Sequence, residues 1–217
     1  NEFAINLELK GYNETLITYI LAAASPDYSI SKEVYTNGWA SNGSIKSTNT
    51  KYGYPLIVRH PGSETLGGPL FFSHYSYLGL ENPNNFRDYG SDCWGLTASY
   101  TRNSTGGIGY TAHSPVNDTG VISPTAAISS IVYTPEKSLK AMHYFYKNKD
   151  KLLGPAGFYD AFSPQYSFWV AEAYLAIDQG PQIIMIENYR TGLLWNLFMQ
   201  NTEVKAGLDK LGFTYGN

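Results

Sequence analysis

The sequence has little of what marks several large classes of protein. It contains a single cysteine, Cys93, which excludes an internal disulfide and which we expect to be a small buried side chain. No apolar run reaches the roughly 18 residues that mark a membrane span. Charged residues make up 15% of the chain, the net charge is -3 and no basic stripe recurs, so the composition disfavours nucleic acid as a partner.

The sequence also lacks the short motifs of several enzyme classes. It has no Gly-x-Ser-x-Gly elbow, no phosphate-binding loop and no dinucleotide fingerprint, which disfavours serine hydrolases, kinases and nicotinamide enzymes. Its histidines show no metal-ligand spacing, so we expect neither a metal nor a cofactor. Aromatic residues, in contrast, make up 15% of the chain, with 19 tyrosines and 4 tryptophans. Such rings suit platforms that stack on the apolar faces of sugars.

Hydrophobic periodicity predicts a mainly helical chain. Apolar residues recur at helical spacing from about Asn13 to Ala24, where Pro26 ends the helix. An amphipathic helix is predicted after Pro135, and a helix that is apolar over most of its circumference is predicted after Pro181. An all-round apolar helix is typical of one buried within a larger assembly.

Alternating strand patterns are scarce and short. The segments 41–55 and 99–123 are rich in Gly, Ser and Asn, and they are predicted to be surface loops. We therefore predict an all-α fold with about seven or eight helices and elaborate loops. A closed ring of twelve helices of about 11 to 12 residues each would not fit in this length, so a helical toroid would be incomplete here.

The first candidate catalytic residue is Asp178, which follows an apolar stretch and precedes Gln179-Gly180-Pro181. If Pro181 opens a helix, Asp178 lies immediately before the helix N-terminus, where the dipole and free amides favour an ionised carboxylate. An ionised carboxylate is what a general base requires. A simple helix cap needs the same placement and remains the alternative.

The second candidate is Glu14, which is predicted to lie in the first turn of the first helix. Tyr12, Leu16 and Tyr19 could form an apolar wall that raises the pKa of Glu14, which is how a general acid stays protonated near neutrality. The alternative is an ordinary first-turn glutamate stabilised by the helix dipole.

Three further carboxylates stand in unusual settings. Asp160 has aromatic neighbours and no obvious cationic partner, which fits a carboxylate that bonds sugar hydroxyls. Glu187 lies three residues before Arg190, so an ordinary ion pair accounts for both. Asp92 closely precedes Trp94, whose ring is either presented in a cleft or buried in the core.

A series of motifs stands in order along nearly the whole chain. They are Gly11-Tyr12-Asn13-Glu14, Gly67-Gly68-Pro69-Leu70-Phe71-Phe72, Asp92-Cys93-Trp94-Gly95-Leu96-Thr97-Ala98-Ser99, Ala112-His113-Ser114-Pro115, Ile122-Ser123-Pro124-Thr125-Ala126-Ala127, Gly157-Phe158-Tyr159-Asp160-Ala161-Phe162, Leu175-Ala176-Ile177-Asp178-Gln179-Gly180-Pro181 and Glu187-Asn188-Tyr189-Arg190-Thr191-Gly192. Together these motifs resemble the bacterial glucoamylase-like family that includes endo-β-1,2-glucanases. So many motifs in order are far more specific than any one of them.

The resemblance implies an (α/α)6 toroid whose central cleft binds glucan and hydrolyses it with inversion of configuration. Glu14 matches the acid of the family's Gly-Tyr-x-Glu segment, and Asp178 matches the carboxylate of its Asp-Gln-Gly-Pro segment, the base. In an inverting enzyme these two carboxyl groups lie about 6.5 to 9.5 Å apart. The expected sugar-binding side chains, three aromatic platforms and three polar groups, are Trp39, Trp94, Tyr159, Asp160, His113 and Arg190.

The resemblance also bears on domain organisation. Members of this family are much longer, so residues 1–217 are expected to be the C-terminal part of one catalytic domain whose N-terminal half is absent. Between residues 80 and 83 the sequence is also shorter than the family pattern. The expected function is hydrolysis of β-glucan, with β-1,2-linked glucan as the preferred oligo- or polysaccharide substrate, in the periplasm or outside the cell.

Three alternatives stay open at this point. A non-catalytic carbohydrate-binding protein on the same helical scaffold would keep the aromatic platforms but would not need two carboxyl groups in different states. A glucoamylase-type hydrolase would act on other glucans. A polysaccharide lyase would abstract a proton with Tyr or His, and no motif supports it.

Overall fold

The computed structural model describes residues 7–51, 53–60, 67–76 and 92–215, and their secondary structure is helix-rich with short β-hairpins. The α-helices are α1 Leu16–Ala24, α2 Lys32–Asn37, α3 Leu70–Ser76, α4 Pro124–Ser129, α5 Pro135–Lys147, α6 Lys149–Leu152, α7 Ala176–Thr191, α8 Leu193–Gln200 and α9 Thr202–Leu211. The strands are β1 Lys46–Lys51, β2 Tyr54–Val58, β3 Ala98–Arg102, β4 Ile108–Ala112, β5 Leu153–Gly154, β6 Gly157–Phe158, β7 Ala161–Ser163 and β8 Trp169–Ala171. Single 3₁₀ turns lie at Ser41–Gly43 and Ser130–Val132.

The strands pair in sequence order as four antiparallel two-stranded sheets, β1–β2, β3–β4, β5–β6 and β7–β8. Two of these hairpins correct the loops predicted over 41–55 and 99–123. The strand β1 is mostly exposed and carries Lys, Ser, Thr and Asn, so no face of it needs apolar residues. Without a buried face, an exposed ribbon carries no alternating pattern in its sequence.

The chain divides into two compact units, the first formed by residues 1–67 and 199–217 and the second by residues 68–198. In the first unit, α1 packs against α9. Gly207 of α9 lies so close to α1 that an added Cβ would stand 2.7 Å from the carbonyl oxygen of Ile20. The missing side chain therefore sets the distance between these two helices.

The start of α1 differs from its prediction. The helix begins at Leu16 with Thr15 as its N-cap, so Glu14 lies in the turn before the helix and not in its first turn. The side chain of Asn13 accepts hydrogen bonds from the backbone N–H and the hydroxyl of Thr15, at 2.9 and 2.6 Å. This local bonding competes with the helix and delays its start.

The second unit has its main apolar cluster among α4, α5 and the β5–β8 region. Phe145, Phe162, Ile128 and Leu152 are fully buried there, and Cys93 packs against the cluster half-buried. The amphipathic helix predicted after Pro135 is confirmed as α5, with Pro135 in its first position and Ala141 and Phe145 on its buried face.

The helix predicted to open at Pro181 begins five residues earlier, at Ala176. Pro181 therefore lies inside α7, and its buried ring near the N-terminal end costs the helix one backbone hydrogen bond. Ile177, Ile183 and Tyr189 of this helix are exposed in this chain, so the burial expected within a larger assembly stays a prediction. Within the described ranges, no helix is both long and apolar enough to cross a membrane.

Candidate active site

Two buried aspartates of the second unit form its most unusual polar feature. Asp160 lies between β6 and β7, and its backbone N–H donates to the carbonyl of Ala173 at 3.0 Å. Asp178 is the third residue of α7, with its N–H bonded to the carbonyl of Leu175 at 3.0 Å. Their carboxyl groups lie close enough to influence each other, which brings together residues 18 positions apart in the sequence.

The environment of Asp160 is set by the hairpin β3–β4. The backbone N–H of Tyr100 in β3 donates to Asp160 Oδ2 at 2.8 Å. The side chain of Asp160 has no exposed surface, whereas Asp178 keeps 5% of its surface exposed. Asp160 is thus enclosed in this chain, and its expected contact with a sugar hydroxyl stays a prediction.

Burial and a neighbouring carboxyl group act together on Asp178. Burial, then the charge of Asp160 and the hydrogen bond to it, raise the pKa of Asp178 to about 8. Burial also raises the pKa of Asp160, while the Tyr100 N–H and the bond from Asp178 act in the opposite direction. The expectation of an ionised Asp178 at a helix N-terminus is thus corrected, because the helix dipole is outweighed by desolvation and by Asp160.

Tyr110 in β4 is a member of this site that sequence reasoning missed. Partial burial raises the pKa of Tyr110, and the charges of Asp178 and Asp160 raise it further. Its side chain is 58% exposed, so it lies at the surface close to the carboxyl pair. Tyr110 pairs with Tyr100 across the hairpin, but the sequence alone did not predict this hairpin.

His113 is enclosed by the same region of the second unit. Its ring has no exposed surface, and Nδ1 lies 3.3 Å from the hydroxyl of Thr119. Burial lowers the pKa of His113, so the ring is neutral near pH 7. Because the ring is buried, the structure does not support a direct contact between His113 and a sugar hydroxyl.

The two tryptophans expected as sugar platforms are also interior residues. Trp94 belongs to the apolar cluster of the second unit. Trp39 lies in the first unit, stacked with Tyr35 and edge-on to Tyr12, with ring centroids 6.0 and 5.6 Å away. Both rings have almost no exposed surface, so neither face is open to a ligand in this chain.

Trp39 instead supports the turn that carries Glu14. Its indole Nε1–H donates to the backbone carbonyl of Asn13 at 3.2 Å. Tyr12 is buried and contacts both Trp39 and His60, and the ring centroids of Tyr12 and His60 are 4.9 Å apart in an edge-on arrangement. These aromatic contacts hold the turn in place. Glu14 itself is half-buried, which leaves its carboxyl group partly open to solvent.

The remaining expected residues differ in exposure. Tyr159 is half-buried, and its ring lies 5.4 Å from that of Tyr174. Arg190 is exposed and donates to Glu187 at 3.3 Å, which confirms the predicted ion pair. Of the six expected sugar-binding residues, Tyr159 and Arg190 are therefore the two with accessible side chains.

Asp92 is exposed at the edge of the described residues. Among the His, Cys, Asp and Glu side chains that the structure describes, no group of three or more could hold a metal ion.

Nearly the whole chain matches one known protein family. Residues 6–82 and 79–202 match the family described as Putative glucoamylase. The two matched segments meet at residues 79–82, where the sequence is expected to be short; this region lies outside the described residues.

One curated relative and two solved structures show strong similarity. The chain is 39% identical to the exo β-1,2-glucooligosaccharide sophorohydrolase (non-reducing end) of Parabacteroides distasonis, over 96% of the chain and 34% of that protein. It is 47% identical to an endo-β-1,2-glucanase from Chitinophaga pinensis, solved with sophorotriose and glucose, with a TM-score of 0.84 over 95% of the chain and 55% of that structure. A structure from Bacteroides fragilis, named a putative glucoamylase, is 48% identical with a TM-score of 0.84, over 96% of the chain and 55% of that structure.

The chain therefore spans about half the length of these solved relatives and about a third of the curated one.

Proposed function

We propose, since this chain belongs to the Putative glucoamylase family, that it forms part of a glycoside hydrolase that cleaves β-1,2-linked glucan with inversion of configuration. The observation that carries the proposal is the similarity to two proteins whose names specify β-1,2-linked glucosides, at 39% and 47% identity across nearly the whole chain. One relative is named as exo-acting and the other as endo-acting, and both names specify the β-1,2 linkage. The two names therefore support the proposed linkage but do not favour either exo or endo cleavage.

The fold proposed for the complete protein is an (α/α)6 toroid of which this chain is the C-terminal part. The TM-score of 0.84 over 55% of the Chitinophaga pinensis structure supports a shared fold with further elements outside this chain. In this arrangement the missing N-terminal half of the domain closes the cleft. The exposed apolar residues of α7, including Ile183, are consistent with a covering partner of this kind.

Glu14 and Asp178 are the proposed catalytic residues. In inverting hydrolysis one carboxyl group protonates the leaving oxygen, and the other removes a proton from the water that attacks the opposite face of the sugar. We assign the first role to Glu14, whose half-buried turn is fixed by Trp39, and the second to Asp178. Tyr159 and Arg190, both accessible, are proposed to contact the substrate.

The test uses the whole protein that contains this chain, with Glu14→Gln and Asp178→Asn. Each substitution is expected to lower the rate of reducing-sugar release from β-1,2-glucan by at least about 100-fold, the usual contribution of a general acid or base, while glucan binding stays measurable. The matched control is Glu136→Gln, which changes an exposed carboxylate at the start of α5 and should leave turnover near the wild-type value. Turnover near normal in either catalytic variant would remove that residue from the mechanism.

The same assay separates the alternatives. A non-catalytic binding protein would bind glucan without releasing sugar. A hydrolase of other glucans, which the glucoamylase name of the Bacteroides fragilis relative favours, would prefer starch over β-1,2-glucan in a panel of defined linkages. A location in the periplasm or outside the cell is part of the proposal, and cell fractionation tests it.

A further inference from the structure

Two buried carboxyl groups meet in the second unit, and the surroundings do not supply the charge that would keep both ionised. Asp160 has no exposed surface, and Asp178 has 5%. Two carboxylates within hydrogen-bonding distance repel each other, and each has lost most of its hydration. The pair is therefore far more stable with one proton than with none.

The unpaired oxygens of the two groups point to the position of that proton. Asp160 Oδ1 and Asp178 Oδ2 are both buried, and neither has a donor among the described residues. Buried polar atoms rarely lack a partner. One proton turns one of these carboxyl groups from an acceptor into a donor, and the neighbouring carboxyl group is an acceptor for it.

We propose that Asp160 and Asp178 share one proton at neutral pH, and that Asp160 is a positioning residue that controls the protonation state and orientation of Asp178. The two partners are not equivalent. Asp160 accepts the backbone N–H of Tyr100 at 2.8 Å, which stabilises negative charge on that carboxyl group. The proton therefore resides mainly on Asp178, which donates it to Asp160.

The groups around the pair support this assignment. Tyr100 and Tyr110 face it from β3 and β4, one with a backbone N–H and the other with a neutral phenol. The side-chain amide of Gln179 in α7 is directed elsewhere, since it donates to the carbonyl of Phe158 at 3.0 Å. No Lys, Arg or His of the described residues is among the groups that shift either carboxyl, and His113 is kept neutral by burial.

The consequence for catalysis rests on the proposed function. When Asp178 accepts a proton from the attacking water, the proton that it already holds passes to Asp160. One O–H bond of water breaks, one O–H bond forms on Asp178, and the charge of the pair changes from −1 to 0 while hydroxide bonds to the anomeric carbon. Asp160 thus takes up the proton without touching the substrate.

The experiment measures the protonated pair directly, by infrared difference spectroscopy of the carboxyl C=O stretch during a pH titration of the whole protein. The wild type should show one protonated buried carboxyl group at pH 7 that deprotonates near pH 8. Asp160→Asn should abolish this signal at pH 7, because the new amide donates to an ionised Asp178. Asp178→Asn should abolish it too, and Asp150→Asn, which changes an exposed carboxylate of the same unit, should leave it unchanged.

Each outcome decides the proposal, and the wild-type titration alone does so if the variants fail to fold. A wild type without a protonated carboxyl group at pH 7, or a signal that persists in both variants, would overturn it. If the signal behaves as expected, Asp160→Asn should also move the pH profile of glucan hydrolysis to lower pH, a change that a purely structural role would not produce. If the infrared signal behaves as expected but Asp178→Asn and Glu14→Gln both hydrolyse glucan at the wild-type rate, the proposed function fails while the shared proton stands.

Discussion

The interiors of the two units differ in their polar content. Among the buried polar side chains of the described residues, His60 alone lies in the first unit, and all the others, including Asp160 and Asp178, lie in the second. The first unit is held by aromatic and aliphatic packing, and its candidate residue Glu14 lies at the half-buried edge. A buried polar group costs free energy unless it is hydrogen-bonded. We therefore expect the burial of Asp160 and Asp178 to lower the stability of the second unit, while it restricts the protonation state of the two carboxyl groups.

The largest expected effect tests whether the polar second unit still depends on its apolar cluster. Phe145→Ala removes a fully buried ring that contacts Phe158 and Phe162 edge-on, at 5.9 and 5.8 Å. We expect a loss of about 3 to 5 kcal/mol in the free energy of unfolding, measured by chemical denaturation. Tyr146→Ala, at an exposed position next in the helix, should change it little, and equal effects would contradict the assigned burial.

The next expected effect is a pH dependence of stability that arises from Asp178 in the second unit. Because the pKa of Asp178 is raised in the folded state to about 8, against roughly 3.9 in an unfolded chain, the folded protein holds a proton that the unfolded chain has lost across that window. This stabilisation is complete below about pH 4 and is lost as the pH rises through 8, with a slope of up to about 1.4 kcal/mol per pH unit.

Thermal or urea unfolding at several pH values measures this slope. In Asp178→Asn the free energy of unfolding should depend less steeply on pH between pH 5 and 8, because one proton fewer is taken up on folding. A variant with the same slope as the wild type would mean that Asp178 does not hold this proton.

A smaller effect is expected in the first unit, at the contact of α1 and α9. Gly207→Ala places a Cβ 2.7 Å from the carbonyl oxygen of Ile20 and 2.9 Å from the backbone nitrogen of Ala24. Since backbone cannot move aside cheaply, we expect a loss of about 1 to 3 kcal/mol in the free energy of unfolding.

The second unit provides the matched control for this substitution. Gly180→Ala in α7 meets no atom within 4 Å other than its chain neighbours. The gain in helix propensity of up to about 1 kcal/mol is opposed by the contact of the new Cβ with the ring of Pro181, so the change should be close to neutral. If both alanines destabilise the protein equally, close helix packing is not the cause.

The smallest effect concerns a helix cap. Asn201 caps α9 by accepting the N–H of Val204 at 3.0 Å, so Asn201→Ala should cost about 1 kcal/mol. Gln200→Ala, at the exposed neighbouring position, should cost much less in the same unfolding measurement.

The fold could be predicted where local chemistry decides it. Pro135 marks the start of α5 because its fixed φ suits the first helical position. Pro181 misled for the same reason, since α7 extends five residues beyond it toward the N-terminus, where buried packing outweighs one lost hydrogen bond. The exposed ribbon β1–β2 left no pattern to find.

The site could be predicted only in part. Asp178 and Glu14 stand out by sequence context, but the partnership of Asp178 with Asp160 depends on a contact between separate elements. The sequence also does not distinguish a tryptophan that stacks on a sugar from one that fills a core. Trp39 and Trp94 are of the second kind, because their rings complete the packing around them.

The hydrogen bond from Tyr100 to Asp160 has a consequence for how this protein can change over generations. The donor belongs to the main chain, so almost any amino acid at position 100 supplies it equally well. Proline is the exception, because it has no backbone N–H. The electrostatic setting of the aspartates is thus insulated from most substitutions at that strand position, whereas the tyrosine ring itself packs against the cluster of Val121, Ala161 and Ala171.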